Sequence, residues 1–224
     1  PLYSSAASDV YKRQVTFREE GLEELFSQAQ AAGITFSAAY QRADFYVISV
    51  PTPYEKVSRK MDAGAVLAAV RQVLCVCPKG AVIIIESTVS PGTIHRCIYP
   101  IAEAAGFTPG EDIFLVHAPE RIIPGNMLAE LEKNNRIIGA DQPEVGQRVK
   151  RLYASFCRAD IAVTDIRTAE MTKVAENAFR AVNIAFANEL ATICHASGLD
   201  VYEIIRLCNM HPSCLLYTSD AADE

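Results

Sequence analysis

The sequence predicts a doubly wound α/β sheet of parallel strands, followed by one long helix that opens a second, α-helical domain. Three observations carry that expectation. Strand-like and helix-like segments alternate throughout residues 15–163, the order that βαβ units require. Ala81–Ile85 (AVIII) is unbroken apolar sequence, as expected of a strand buried on both faces. Residues 168–195 then run without Gly or Pro, and Met171, Val174, Ala178, Val182, Phe186, Leu190 and Ile193 recur at helical spacing.

The elements follow in order. Residues 21–32 (GLEELFSQAQAA) predict a helix ending near Gly33. Residues 45–50 (FYVISV) predict a short strand stopped by Pro51-Thr52-Pro53, and residues 63–74 a helix closed by a Pro78-Lys79-Gly80 turn. After the apolar strand come Glu86-Ser87-Thr88, and Pro91-Gly92 leads into a helix reaching Ala105. Residues 113–116 and 136–140 (RIIGA) read as strands, residues 143–156 as a helix with Pro in its first turn, and residues 161–163 as the last strand. A domain boundary is expected near Asp165, so that residues 15–164 form one domain and 165–213 begin another. Thr168 suits the N-cap of the long helix, Glu170 its positive end, and Gly198 its stop. Residues 200–209 predict a further helix, with Asp200 and Glu203 spaced as a capping box.

Half of the 224 residues are hydrophobic, yet no apolar run approaches a membrane span and no secretory leader is visible. A cytoplasmic protein is the expectation. A net charge of −6 argues against a nucleic-acid partner. The seven cysteines lack metal or disulfide spacing, so buried inert thiols and no metal are expected. The ends differ in kind. One DNA sequence can encode residues 4–14 (SSAASDVYKRQ) on one strand and, shifted by one base, residues 214–224 (CLLYTSDAADE) on its complement, up to an incomplete last codon. Residues 1–14 and 214–224 are therefore read as adapter-derived tails around a partial coding sequence and are left out of the fold.

Polar residues gather just after three strands: Thr52, then Ser87 and Thr88, then Glu120 and Arg121. In an open α/β sheet the ligand crevice lies outside the carboxyl ends of the strands. Turn chemistry alone also places Thr and Ser there. On the long helix, Lys173, Asn177 and Arg180 stand at i, i+4 and i+7 and share one face. Two cations and an amide in one stripe suit an anionic, hydroxyl-rich ligand; the same spacing suits a solvated face. There is no G-x-G-x-x-G, so the phosphate loop of a dinucleotide-binding sheet would lie upstream.

Four blocks now match a known family: SVPTP at 49–53, ESTVSPGT at 86–93, APERIIPGN at 118–126 and EMTKVAENAFRAVNIAFANEL at 170–190. They resemble the UDP-sugar 6-dehydrogenases of the UDP-glucose/GDP-mannose 6-dehydrogenase family. Within it, PERIIPG, NNRIIGA and EIIRLCNMHP (203–212) are most similar to the members acting on UDP-N-acetyl-D-mannosamine. The resemblance implies a Rossmann-like NAD-binding domain, a dimer built on the central helix, and oxidation of a sugar C6 alcohol to a carboxylate by two NAD through a cysteine thioester. It implies NAD contacts at Thr52 and Thr88. It makes Lys173 the proton donor or acceptor, Asn177 the holder of the same oxygen, and Glu120 the assistant in thioester hydrolysis. Arg121, the Ile122 backbone, Lys173, Asn177, Arg180 and His211 would bind the UDP-sugar. In the glucose-type members a second Glu follows in the loop where this chain has Ile123-Pro124-Gly125, which favours an acetamido-sugar. The family's nucleophilic cysteine lies in a Gly-rich loop after the His-Pro pair. Cys208 precedes that pair and Cys214 lies in the tail, so the stretch is expected to be inactive by itself. UDP-N-acetylglucosamine and UDP-glucose are the alternative substrates. A non-catalytic dinucleotide-binding or assembly module is the alternative of another class.

Overall fold

The computed structural model describes residues 19–57, 59–122 and 126–216; residues 1–14, most of 214–224 and Ile123-Pro124-Gly125 lie outside the described residues. The chain divides into two compact units, Pro1–Met171 and Thr172–Glu224.

The first unit is a five-stranded sheet in the order β1-β4-β5-β6-β7, built from β1 (Phe45–Ile48), β4 (Ala81–Ile85), β5 (Ile113–His117), β6 (Arg136–Ala140) and β7 (Ile161–Thr164). Two features were not legible beforehand: a small hairpin of β2 (Tyr54–Glu55) and β3 (Lys60–Met61), and a short helix at Met127–Lys133. All five β4 residues are buried because both of its faces are covered. Ala81, Ile83 and Ile85 pack into one cluster with helix α2 (Gly64–Leu74) through Val66, Val70 and Val73. Val82 and Ile84 pack into the other, with Val145 and Val149 of the helix Pro143–Tyr153. Each buried Ile or Val contributes about 1.5–3 kcal/mol, so a strand with alternate residues in two cores anchors both layers. Helix α1 (Leu22–Ala31) completes this unit's N-terminal part, ending before Gly33 as the sequence predicts.

The sheet is mixed and mostly parallel. The β1/β4, β4/β5 and β6/β7 ladders are parallel, while β5 and β6 pair antiparallel, Val116 opposite Ala140 and His117 opposite Gly139. The carboxyl ends of β1, β4 and β5 therefore share one edge with the amino end of β6. The helix expected after Pro91-Gly92 is two pieces, a π turn at Ile94–Ile98 and α3 (Tyr99–Ala104). Pro100 has no N–H to give to the carbonyl four residues back, and the Tyr99 N–H reaches Ile94 instead. With the short helix as α4 (Met127–Lys133), Pro143–Tyr153 is α5, ending three residues before its expected end.

Helix α6 (Ile166–Ser197) starts two residues before the predicted point. Its N-cap is Asp165, not Thr168: the Asp165 carboxylate accepts the Thr168 N–H at 2.9 Å and the Thr168 hydroxyl at 2.5 Å. Those two bonds hold the Asp165 carboxyl below its ordinary range. In the second unit, α7 (Val201–Cys208) is capped by Asp200, which accepts the Tyr202 N–H, while Glu203 pairs with Arg206. Ala187, Cys194 and Ile205 are buried in this unit; Phe179, Val182, Phe186 and Ile193 on α6 are exposed. The cysteines are not uniformly buried, since Cys75 and Cys97 are exposed. Among the described residues no helix is long and apolar enough to cross a membrane.

Gly139 of β6 is fixed by close approach to the first turn of α6. A Cβ there would lie 2.6 Å from the Ala169 Cβ and 2.9 Å from the Asp165 carbonyl oxygen. Gly139→Ala should cost roughly 1–3 kcal/mol or more, read as a fall in the thermal midpoint; an unchanged midpoint would contradict this packing.

His117 is fully buried, its Nδ1 bonded to the Ile85 carbonyl at 2.9 Å. Burial lowers its pKa from 6.5 to about 4, against the smaller opposing effect of that bond. The native state thus holds a neutral imidazole. As pH falls from the unfolded value toward about 4, the unfolded chain takes up a proton that the native chain refuses, and stability drops by on the order of 2–3 kcal/mol. Urea unfolding of wild type and His117→Gln between pH 7 and pH 4.5 tests this. The wild type should lose more stability over that range, and equal slopes would refute the assignment.

Candidate functional site

The three loops that leave β1, β4 and β5 are stitched together at the sheet's edge. Ser87, just beyond β4, is buried, and its hydroxyl accepts the Val50 N–H at 2.8 Å while donating to the Val50 carbonyl at 2.7 Å. The Glu86 N–H reaches the Ile48 carbonyl at 2.9 Å. On the other side, the Ala118 N–H bonds the Ile85 carbonyl and the Glu120 N–H bonds the Glu86 carbonyl at 3.3 Å. These contacts bring the loops carrying Thr52, Thr88 and Glu120 side by side. Thr52 and Thr88 are both half-buried.

Glu120 is the best-defined of these side chains. One oxygen, Oε1, accepts the N–H groups of Arg121 and Ile122 at 2.6 and 3.1 Å. The other, Oε2, pairs with Arg136 Nη2 at 3.0 Å. Arg121 turns its guanidinium to the Asn135 carbonyl at 2.7 Å. The Ile122 N–H is used within the loop.

Sequence reasoning missed three members of this cluster. Arg136, the first residue of β6, is buried, with its guanidinium over the rings of Tyr153 and Phe156. Tyr153 of α5 donates its hydroxyl to Glu86 Oε1 at 2.5 Å. Burial drives the Glu86 carboxyl above its ordinary range; the Tyr153 bond opposes this and the nearby Glu120 charge adds to it. Burial, reinforced by the Glu86 charge, likewise raises the Tyr153 phenol. The available signal was a charged residue at one end of each of two apolar segments, Arg136 opening RIIGA and Glu86 closing AVIIIE.

Glu170 has a different task from the one its position suggested. Its carboxylate is fully buried and accepts the N–H groups of Gly92 and, at 3.0 Å, Ile94. Gly92 has φ +86, a left-handed conformation that favours glycine. Glu170 thus fills the positive end of the helix after β4 rather than only favouring the start of its own.

The remaining predicted residues belong to the second unit. Lys173, Asn177 and Arg180 lie on α6 with the predicted common face; Lys173 is half-buried, and Asn177 and Arg180 are exposed. His211 is exposed beyond α7, its Nδ1 accepting the Ser213 N–H.

Residues 4–157 match the NAD binding domain of the UDP-glucose/GDP-mannose dehydrogenase family, and residues 167–220 match that family's central domain. Similar proteins include the UDP-N-acetyl-D-mannosamine dehydrogenases of Salmonella typhi and Methanococcus aeolicus. The first is 43% identical over 180 residues, 76% of this chain and 42% of that protein; the second is 38% identical over 202 residues, 89% and 45%. Among solved structures, the UDP-N-acetyl-mannosamine dehydrogenase of Staphylococcus aureus superposes with a TM-score of 0.84 at 39% identity, over 94% of this chain and 52% of that one. The UDP-D-ManNAc dehydrogenase of Pyrococcus horikoshii gives 0.86 at 33% identity, over 96% and 52%. The chain spans about half the length of the curated relatives it matches.

Glu170→Ala removes the acceptor of two N–H groups in the interior and should cost about 2–4 kcal/mol. Hydrogen exchange checks where the cost falls: the Gly92 and Ile94 amides should exchange faster than in wild type. Unchanged protection at both would show that the carboxylate does not hold this loop.

Proposed function

This chain belongs to the UDP-glucose/GDP-mannose dehydrogenase family, and we propose that the protein carrying it oxidises C6 of UDP-N-acetyl-D-mannosamine to a carboxylate, giving UDP-N-acetyl-D-mannosaminuronate. The observation that carries the proposal is the stitched edge, where Thr52, Thr88 and Glu120 stand at the ends of adjacent parallel strands. Two half-buried hydroxyls on pinned loops fit a dinucleotide there, and the match to the family's NAD binding domain supports the same ligand. NAD, when bound, supplies the hydride acceptor in both oxidations. The similar proteins named for UDP-N-acetyl-D-mannosamine support the sugar.

The chain's own residues then divide the work. Thr52 and Thr88 hold the dinucleotide. The Lys173 amine takes the proton of the C6 alcohol and stabilises negative charge developing on that oxygen, a preorganised electrostatic effect. Asn177, one turn on, orients the same oxygen or a water. Glu120 draws the proton from the water that cleaves the enzyme thioester. Arg121, the Ile122 backbone, Arg180 and His211 hold the UDP-sugar, with the arginines suited to its phosphates. The exposed Phe179, Val182, Phe186 and Ile193 on α6 support burial against a second copy in a homodimer. The cytoplasm, where NAD and nucleotide sugars meet, is the compartment that this reading implies.

The complete protein should form two NADH per UDP-N-acetylmannosamine, with kcat/KM at least about tenfold above that for UDP-N-acetylglucosamine or UDP-glucose. Lys173→Ala should lower kcat by on the order of 10²–10³. Equal turnover of UDP-glucose would overturn the choice of sugar. No NADH from any of the three would favour a non-catalytic dinucleotide-binding module.

A further inference from the structure

We infer that Arg136 is a positioning residue for Glu120: from the buried first position of β6 it sets the direction of the carboxylate at the end of β5. The inference rests on the role proposed above for Glu120. It starts from the register of the antiparallel pair. Because β5 and β6 run past one another, the segment just beyond β5 lies beside the start of β6, and Glu120 meets Arg136 with Nη2 3.0 Å from Oε2.

The two partners differ in what surrounds them. The Arg136 side chain is 6% exposed, whereas the Glu120 side chain keeps 27% of its surface in contact with solvent. The arginine is the sealed inner partner and the carboxylate the outer one, at the edge where the strand-end loops gather. Burying a guanidinium costs several kcal/mol unless a counter-charge meets it. Here its direction is not free. Its central carbon stands over the Tyr153 ring, 5.0 Å from the centroid, and over the Phe156 ring, 5.2 Å from the centroid, so two aromatic groups confine it while Nη2 meets Glu120. Tyr153 is itself anchored through its hydroxyl to Glu86. Arg136 Nε is buried and has no hydrogen-bond partner among the described residues. Among the described residues, the ion pair that meets this charge is the Nη2 contact with Glu120.

The carboxylate is correspondingly fixed at both oxygens. Oε1 is held by two backbone N–H groups of its own loop, and Oε2 by Arg136. The backbone contacts move with the loop, but Arg136 ties the carboxylate to the sheet and to α5. A base that must meet a water in one geometry loses about a hundredfold for an ångström of misplacement. The buried chain Glu86–Tyr153–Arg136 supplies that geometry to Glu120.

A double-mutant cycle in the complete protein tests the inference. Glu120→Gln should lower kcat. Arg136→Gln should lower it about a hundredfold, and Arg136→Lys, which keeps the charge and loses the fork, about tenfold. KM for NAD and for the UDP-sugar should stay within about threefold in both, because Arg136 is buried and has no ligand-binding part in the proposed reading. In the Glu120→Gln background, Arg136→Gln should add less than about a twofold loss, since a positioning residue has nothing left to position. A purely structural arginine would cost the same in both backgrounds, and that result overturns the inference. If Arg136→Gln fails to fold, Arg136→Lys in the same two backgrounds decides. A Glu120→Gln protein with undiminished kcat removes the role of Glu120 itself; a slowed Glu120→Gln beside an unaffected Arg136→Lys and Arg136→Gln removes only the positioning.

Discussion

The hydroxyl of Ser87 closes on both backbone groups of Val50, and the candidate site depends on that closure. Strand ends have no ladder to hold them. Their loops drift unless something satisfies the N–H and C=O groups left over where pairing stops. One buried serine meets two of those groups in the first loop, and the Glu120 N–H to Glu86 carbonyl bond does the same between the next two. The sheet contributes a rigid, doubly buried β4; the stitching carries that rigidity a few residues beyond it. Thr88 and Glu120 inherit fixed positions from a strand to which neither belongs.

The reversal between β5 and β6 adds what a wholly parallel sheet would not. Another parallel strand would bring its carboxyl end to this edge. An antiparallel neighbour brings its amino end, and here that end is Arg136. A cation is thereby delivered from the interior, with its stem in the sheet and two aromatic rings of the α5 region against its faces. Two carboxylates, Glu86 and Glu120, end adjacent strands within one cluster. Without a positive charge near them they would repel in a poorly solvated place; burial already raises the Glu86 carboxyl, the Glu120 charge adds to this, and the Arg136 charge opposes it.

The fold was legible because its signals are local. The all-apolar β4, the Pro- and Gly-marked turns and the helical period of α6 depend on neighbours in sequence. Arg136–Ala140 matched its predicted bounds residue for residue. The direction of that same strand was not legible, because direction is decided by how the chain returns across the sheet and leaves no mark in five residues. Thr52, Thr88 and Glu120 were singled out from their places after strands. Arg136 was passed over because a charge at the head of a strand reads as a solvated end. Asp165 was displaced by Thr168 as a cap for a similar reason: both are good N-cap residues, and only the actual start of the helix chooses between them.

Glu170 settles a further question about where anions can sit. Pro91-Gly92 leads into a helix directly after a β4 loop, and a helix start beside strand ends ordinarily offers its N–H groups to phosphate. In this chain a carboxylate of α6 already accepts two of them and is sealed from water. A phosphate placed there would have to displace a covalently tethered anion from a buried seat. That end of the helix therefore serves to hold the loop of Thr88, not to bind a ligand. The diphosphate of the proposed UDP-sugar must find its donors elsewhere, which is why Arg121 and the exposed Arg180 carry that part of the proposal.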